Sequence, residues 1–392
     1  MKIIYIIFAP IPYHYANYLN IENLHKNGFD VDVCDLTNIF YSKEQKKAYF
    51  SKTAKYYKPK IKNIININNY EEYKKFLKKH EKNNTIVYYT GRSFYKKYND
   101  NIFFEYLFSL KYKIFLSEFA IEFFPISIKE KIKFPLFLLK NNFISKKYKD
   151  LNFIGCGENI EKISKNIFDR LNYYSLPHPN YNWKNLKKNN NTTVYVEESF
   201  DSSPDNQVIS TTNSTYKGFV LGKNDFLDSK VANKRKFYNK LNTFFSKFEK
   251  TYNTKIEISA SGKHVYKNNP FQGRKIIYGN TINKICSSNY VIGHSSTALW
   301  QCVISKKKLI LLSDNLLALP KRAEIKTFSI KSKIPIYQLD DLLSFKKKNL
   351  SFNIFDKKKE ILFFLNNANK KKSFNQIMIE IFLKKFQKFD KE

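Results

Sequence analysis

The chain is poor in acidic residues, in cysteine and in long apolar runs, and each scarcity narrows what it can be. No stretch of about 18 or more apolar residues occurs, so no membrane-spanning helix is expected. The apolar start, Met1-Lys-Ile-Ile-Tyr-Ile-Ile-Phe-Ala-Pro10, lacks an extended h-region and a small-residue cleavage site, and it runs into a proline-containing loop. It reads as a first strand rather than a signal peptide. The four cysteines, Cys34, Cys156, Cys286 and Cys302, show neither metal-ligand spacing nor a disulfide framework. A reducing cytoplasm and a chemistry without metal or other cofactor are expected. No RNP-like motif, helix-turn-helix signature or interleaving of aromatic and basic residues stands out, so no specific nucleic-acid partner is expected.

The shortage of acids leaves 69 Lys and Arg against 34 Asp and Glu, a net charge of +35. A lysine-rich surface favours anionic partners: nucleic acid, acidic lipid headgroups or nucleotide-linked substrates. Compositional drift is the competing explanation, because Lys, Asn, Ile, Phe and Tyr are all abundant. The basic residues are dispersed in short groups such as Lys306-Lys-Lys308, Lys357-Lys-Lys359 and Lys370-Lys-Lys372, and no group resembles a groove. Drift accounts for most of the charge, with weak association with an anionic inner membrane surface as its consequence.

What is present is a chain long enough for two domains. Residues 2–8, 30–34, 61–67, 85–89, 112–117, 152–155 and 172–176 have strand character, and 15–26, 70–79, 101–110 and 158–171 between them have helical character. Such alternation predicts a parallel sheet covered by helices. A polar stretch, Pro177-His-Pro-Asn-Tyr-Asn-Trp-Lys-Asn-Leu-Lys-Lys-Asn-Asn-Asn191, has the composition of a linker. The alternation then restarts: strands at 193–196, 255–259, 290–292 and 309–312, helices at 233–252, 281–287, 297–304 and 374–389. The fold class expected is α/β with two Rossmann-like domains facing a cleft and a closing helix. The boundaries are 1–177, a linker at 178–192, a second domain at 193–370 and the helix at 371–392. Ligands in such folds bind at the carboxyl ends of the strands.

The most informative such edge is Asn289-Tyr-Val-Ile-Gly-His-Ser-Ser-Thr-Ala-Leu-Trp300: a buried strand, a turn at Gly293-His294, and a helix opened by Ser295, Ser296 and Thr297. Free amides, hydroxyls and the positive end of the helix dipole suit a phosphate there. An ordinary N-cap is the alternative. A second edge, Ile258-Ser-Ala-Ser-Gly-Lys-His-Val-Tyr266, brings Ser259, Lys263 and His264, and leads to Arg274. A third, after 193–196, carries Glu197 and Glu198, of which alternation lets at most one face the cleft. In the first domain, His14 and Thr90-Gly-Arg92 stand at strand edges. Asp30-Val-Asp32 spells DxD but begins a strand, away from the ligand edge, and is not read as a metal site.

On these residues, roughly 193 to 312, the chain resembles bacterial GT-B glycosyltransferases of surface-polysaccharide synthesis, especially sialyltransferase-like groups using CMP-activated sugars. Those families carry an acidic motif, a His-Pro motif and a Ser-Ser motif. The last matches at Ser295-Ser296, where the family holds the nucleotide's phosphate. His264 would be the strand-edge histidine, although Val265 follows it; His178-Pro179 is a literal match within the linker. The family's base lies in the first domain, where Glu118 is the positional equivalent. The resemblance implies transfer of a sugar, such as a CMP-activated nonulosonic acid or a Kdo-like sugar, from a nucleotide donor. The acceptor would be a glycan or lipid-linked glycan of capsule, lipooligosaccharide or O-antigen. The second domain would hold the donor and the first the acceptor, with Glu118, Glu198 or His14 as general base. The nucleotide would sit on Ser259, Lys263, His264, Arg274, His294, Ser295, Ser296 and Thr297. The alternatives are a CDP-alditol phosphotransferase of teichoic-acid type and a basic, non-enzymatic RNA- or lipid-binding protein.

Overall fold

The computed structural model describes residues 1–8, 11, 16–40, 57–90, 101–118, 151–156, 172–176, 192–198, 231–260, 266–317, 319–343, 350 and 372–389. The linker stretch and the expected helix at 158–171 lie outside them.

The first sheet is built from β1 (Lys2–Ile7), β2 (Asp30–Asp35), β3 (Ile64–Asn66), β4 (Thr85–Tyr89), β5 (Lys113–Glu118), β6 (Asn152–Cys156) and β7 (Asn172–Leu176). The second contains β8 (Thr192–Val196), β9 (Lys255–Ala260), β10 (Ile276–Tyr278), β11 (Tyr290–Gly293), β12 (Lys308–Ser313) and β13 (Ile336–Gln338). Every pairing is parallel. The orders are β3-β2-β1-β4-β5-β6-β7 and β10-β9-β8-β11-β12-β13. Each half therefore repeats the doubly wound Rossmann order, reversing direction beside its first strand. The central strands β1, β4 and β12 are nearly continuous apolar runs because helices cover both faces, leaving no polar side to alternate.

In the first domain α1 (Ala16–Leu19), α2 (Ile21–Lys26), α3 (Thr37–Phe40), α4 (Tyr70–Lys78) and α5 (Asn101–Ser109) connect the strands. The single helix expected over 15–26 is broken at Asn20, which takes a left-handed φ of 55°. Asn tolerates that conformation where a branched residue would not. In the second domain α6 (Val231–Tyr252) buries Phe237, Leu241, Phe244, Phe245 and Phe248, a stripe at helical spacing, against the sheet. It is followed by α7 (Thr281–Ser287), α8 (Trp300–Ile304), α9 (Leu319–Ser332) and α10 (Leu339–Leu342).

The chain closes with α11 (Phe374–Phe389), whose apolar face joins the core of the first sheet, not the second. Phe382 lies 4.9 Å from Phe115 and 6.5 Å from Tyr88, and Phe386 lies 5.9 Å from Phe29. Asn20 Nδ2 donates to the Asn375 carbonyl. The closing helix is thus an integral part of the first domain's core. Among the described residues, no helix is long and apolar enough to cross a membrane.

Candidate functional site

The second sheet reverses direction between β8 and β11, and the crevice at such a reversal is where doubly wound folds bind ligands. Ile292 of β11 pairs with Tyr195 of β8, so continuing that register brings Ser295 level with Glu198. The residues leaving these two strands form one cluster.

Gly293 allows the turn to fold tightly. A Cβ there would stand 2.8 and 2.9 Å from the Leu299 methyl carbons, and Leu299 is fully buried. His294 has no exposed surface. Its Nδ1 lies 2.9 Å from the Leu312 carbonyl, which can only accept, so Nδ1 carries the proton. Nε2 then accepts from the Tyr195 hydroxyl at 3.0 Å. Burial pushes the imidazole down to about 4, with Lys321 adding to this and Glu198 opposing it. A neutral ring bonded at both nitrogens fixes the turn to β12 and β8, and it has no surface left to touch a nucleotide.

Beyond it, the Ser295 and Ser296 amides both donate to Glu198 Oε1, at 2.7 and 2.9 Å. Glu198 Oε2 accepts from the ammonium of Lys321, on α9. Lys321 is only 3% exposed and also donates to Glu324 Oε2 at 2.9 Å. Glu324 accepts in turn from the Ser295 hydroxyl at 3.2 Å. Ser296 Oγ caps the short 3₁₀ turn Thr297–Leu299 by accepting from the Ala298 amide at 3.3 Å, and Thr297 is exposed. The amides at this edge do gather negative charge, as their type dictates, but the anion they hold is the chain's own carboxylate. Burial alone would raise the Glu198 carboxyl; Lys321 and the hydrogen bonds outweigh it and hold the group below its ordinary range. Burial would lower Lys321, and its two carboxylate partners raise it instead. A carboxylate so stabilised is a weak proton acceptor, which counts against Glu198 as a general base.

The remaining candidates disperse. Glu197 is buried, and its amide donates to the Ser259 carbonyl at 3.0 Å. Ser259, also buried, donates to Thr281 Oγ1 at 2.8 Å, tying β9 to the start of α7. Arg274 spends its guanidinium on Glu249 at 2.7 Å, with Ser246, Asn242 and the Phe271 carbonyl around it. In that position it locks α6 to the loop before β10. Glu118 is the last residue of β5, at the carboxyl edge of the first sheet. His14, Lys263 and His264 lie outside the described residues. Asp30 and Asp32, at the opposite end of the sheet, pair with Lys2 at 3.0 and 2.9 Å. Among the described residues, no group of three or more His, Cys, Asp or Glu could hold a metal ion.

Lys321 is the site residue that sequence reasoning missed. Among the described side chains, the buried face of α9 includes Lys321, Ile325, Phe328 and Ser332, so polar residues share it and the apolar period that reveals a helix is interrupted.

No protein-family model and no curated protein matches the chain. Among solved structures it is similar to Acinetobacter baumannii MurG, with a TM-score of 0.50 and 9% identity over 98% of this chain and 100% of that one. It is similar in the same degree to Phytolacca americana UGT2 complexed with UDP-2fluoro-glucose and pterostilbene, with a TM-score of 0.50 and 8% identity over 99% and 100%. The shared feature is the GT-B arrangement of two Rossmann-like domains. The sialyltransferase-like, CMP-sugar-using part of the sequence resemblance gains no support from these comparisons.

Proposed function

We propose that this chain is a glycosyltransferase that receives the phosphate of a nucleotide-activated sugar at the β8/β11 edge of its second domain and passes the sugar to an acceptor hydroxyl. The observation that carries the reading is the cluster just described. Two converging amides and a buried ammonium, at the reversal point of a doubly wound sheet, form charge-assisted bonds with an anion. Phosphate oxygens accept from the same donors as carboxylate oxygens. As the sugar leaves, negative charge accumulates on that phosphate, and fixed donors aimed at it lower the barrier without a metal. Thr297, exposed beside the amides, adds a hydroxyl.

With Glu198 committed to the donor side, the general base falls to the first domain, to Glu118 at the end of β5 or to His14. The sequence resemblance favours a CMP-activated acidic sugar and a surface-glycan acceptor; the likeness to a UDP-sugar complex makes UDP the other nucleotide to try first. A teichoic-acid-type phosphotransferase would use the same phosphate contacts and differ only in its product, a phosphodiester in place of a glycosidic bond.

The test is a thermal-shift screen against CMP, CDP, UDP and GDP, followed by product analysis with the corresponding activated sugars. A ligand that binds only the folded state at about 100 times its Kd adds about 2.7 kcal/mol. One nucleotide is expected to stabilise the wild type selectively, and Lys321→Met is expected to lose that shift. No stabilisation by any nucleotide would refute the reading.

A further inference from the structure

We propose that Glu198 competes with the donor's phosphate: its carboxylate plugs the Ser295 and Ser296 amides and the Lys321 ammonium, and it must be displaced for the donor to bind. This inference rests on the reading that the phosphate uses this edge.

Three donors converge on one carboxylate, two amides on Oε1 and the ammonium on Oε2. The two amides cannot serve a carboxylate and a phosphate together, because each has a single N–H and it already points along its bond to Glu198; of the ammonium's three N–H groups, one is likewise taken by Glu198. Charge adds to the conflict. Glu198, Glu324 and Lys321 together carry one net negative charge, and a phosphate arriving beside an undisplaced Glu198 meets repulsion in a largely water-excluded place. The cluster also contains what an exchange needs. Glu324 holds Lys321 at 2.9 Å and the Ser295 hydroxyl at 3.2 Å independently of Glu198. When Glu198 leaves, the ammonium and the serine keep a partner and stay in position for the incoming phosphate. His294, bonded at both ring nitrogens, holds the turn that carries the amides. The donors are therefore anchored by groups other than the carboxylate they hold.

A purely structural clamp between β8 and β11 would share these distances, but the two roles predict opposite signs. Removing a clamp loosens the amides and weakens phosphate binding. Removing a plug frees them and strengthens it.

The experiment is calorimetric titration of inorganic pyrophosphate and of UDP, CDP and CMP into four proteins: wild type, Glu198→Gln, Glu198→Asp and Glu324→Gln. The glutamine variant keeps the side chain's size while weakening the plug. The aspartate variant keeps the charge but shortens the reach to the amides, and it decides the matter if the glutamine variant does not fold. Glu324→Gln removes the same charge without freeing any amide. Expected are at least a tenfold gain in affinity for Glu198→Gln, a gain of the same sign for Glu198→Asp, and a clearly smaller change for Glu324→Gln. Equal or weaker binding by both Glu198 variants, with wild type still binding a nucleotide, overturns the plug and leaves the proposed function standing. An equal gain in Glu324→Gln also overturns it, in favour of bulk charge. If none of the four proteins binds any probe, the proposed function falls and the plug with it.

Discussion

Replacing Lys321 by methionine removes one cation from the centre of the site, and its cost can be reasoned from the structure. Lys321 is 3% exposed and Glu198 nearly as inaccessible, with 11% of its side chain exposed. Breaking a buried pair by deleting one partner costs about 3–5 kcal/mol, because the other charge is left desolvated. Here Glu198 keeps its two amide bonds, and the second partner, Glu324, has 48% of its side chain in water, where a lost contact counts for little. The expected loss is about 2–4 kcal/mol at pH 7.

The pH dependence identifies the source. In the wild type the Glu198 carboxyl is held below its ordinary range, so its contribution is complete above the unfolded-state value, about 4.3, and is lost as pH falls through the lower folded value. Without Lys321, burial dominates and the carboxyl rises. The deficit of the variant should be full at neutral pH and should shrink as pH falls through the variant's raised value, vanishing only below the wild type's lowered one, where Glu198 is neutral in either protein. Urea unfolding at pH 7 and pH 4 measures it, with Trp300 as reporter because it is buried and lies 4.5 Å from Phe328 of α9. The only other tryptophan, Trp183, is replaced by phenylalanine in both proteins. A loss below about 1 kcal/mol at pH 7, or an equal loss at both pH values, would refute the argument from a buried ion pair.

Two further substitutions test the framework around the site. Gly293→Ala places a methyl group 2.8 Å from the buried Leu299 side chain and should cost about 1–3 kcal/mol while weakening nucleotide binding. Adding Leu299→Ala should recover binding, which a strain-free turn would not show. Phe382→Ala, in the helix that closes the chain, should destabilise the first domain by about 3–5 kcal/mol. Hydrogen exchange would show faster opening of β1 and β5 with β8, β11 and β12 unchanged; an equal effect on both sheets would contradict the assignment of α11 to the first core.

The architecture was largely legible because parallel strands covered on both faces leave nearly unbroken apolar runs. Thr85–Tyr89, Asn172–Leu176, Thr281–Ser287 and Phe374–Phe389 coincide with the segments read from the sequence. The strands Ile276–Tyr278 and Ile336–Gln338 were not legible, since three half-buried residues at a sheet edge carry too little pattern. The candidate site was legible as a strand-to-helix turn but not as a set of contacts. Gly293 to Thr297 announced a strand-to-helix turn rich in donors. That Glu198 fills those donors depends on register between strands about a hundred residues apart, which composition does not encode. Lys321 was hidden by its own helix, whose core face it shares with Ser332. Conversely, His294 and Arg274 looked like ligand residues because a loop histidine and arginine suit phosphate, yet buried or half-buried partners already absorb them.

The central claim is that the Ser295 and Ser296 amides, with Lys321, receive a nucleotide's phosphate. The most direct measurement is a crystal structure of the chain with whichever nucleotide stabilises it best. A phosphate is expected within hydrogen-bonding distance of both amides and of Lys321, with the Glu198 carboxylate moved aside. A nucleotide bound elsewhere, with Glu198 still on the two amides, would contradict it.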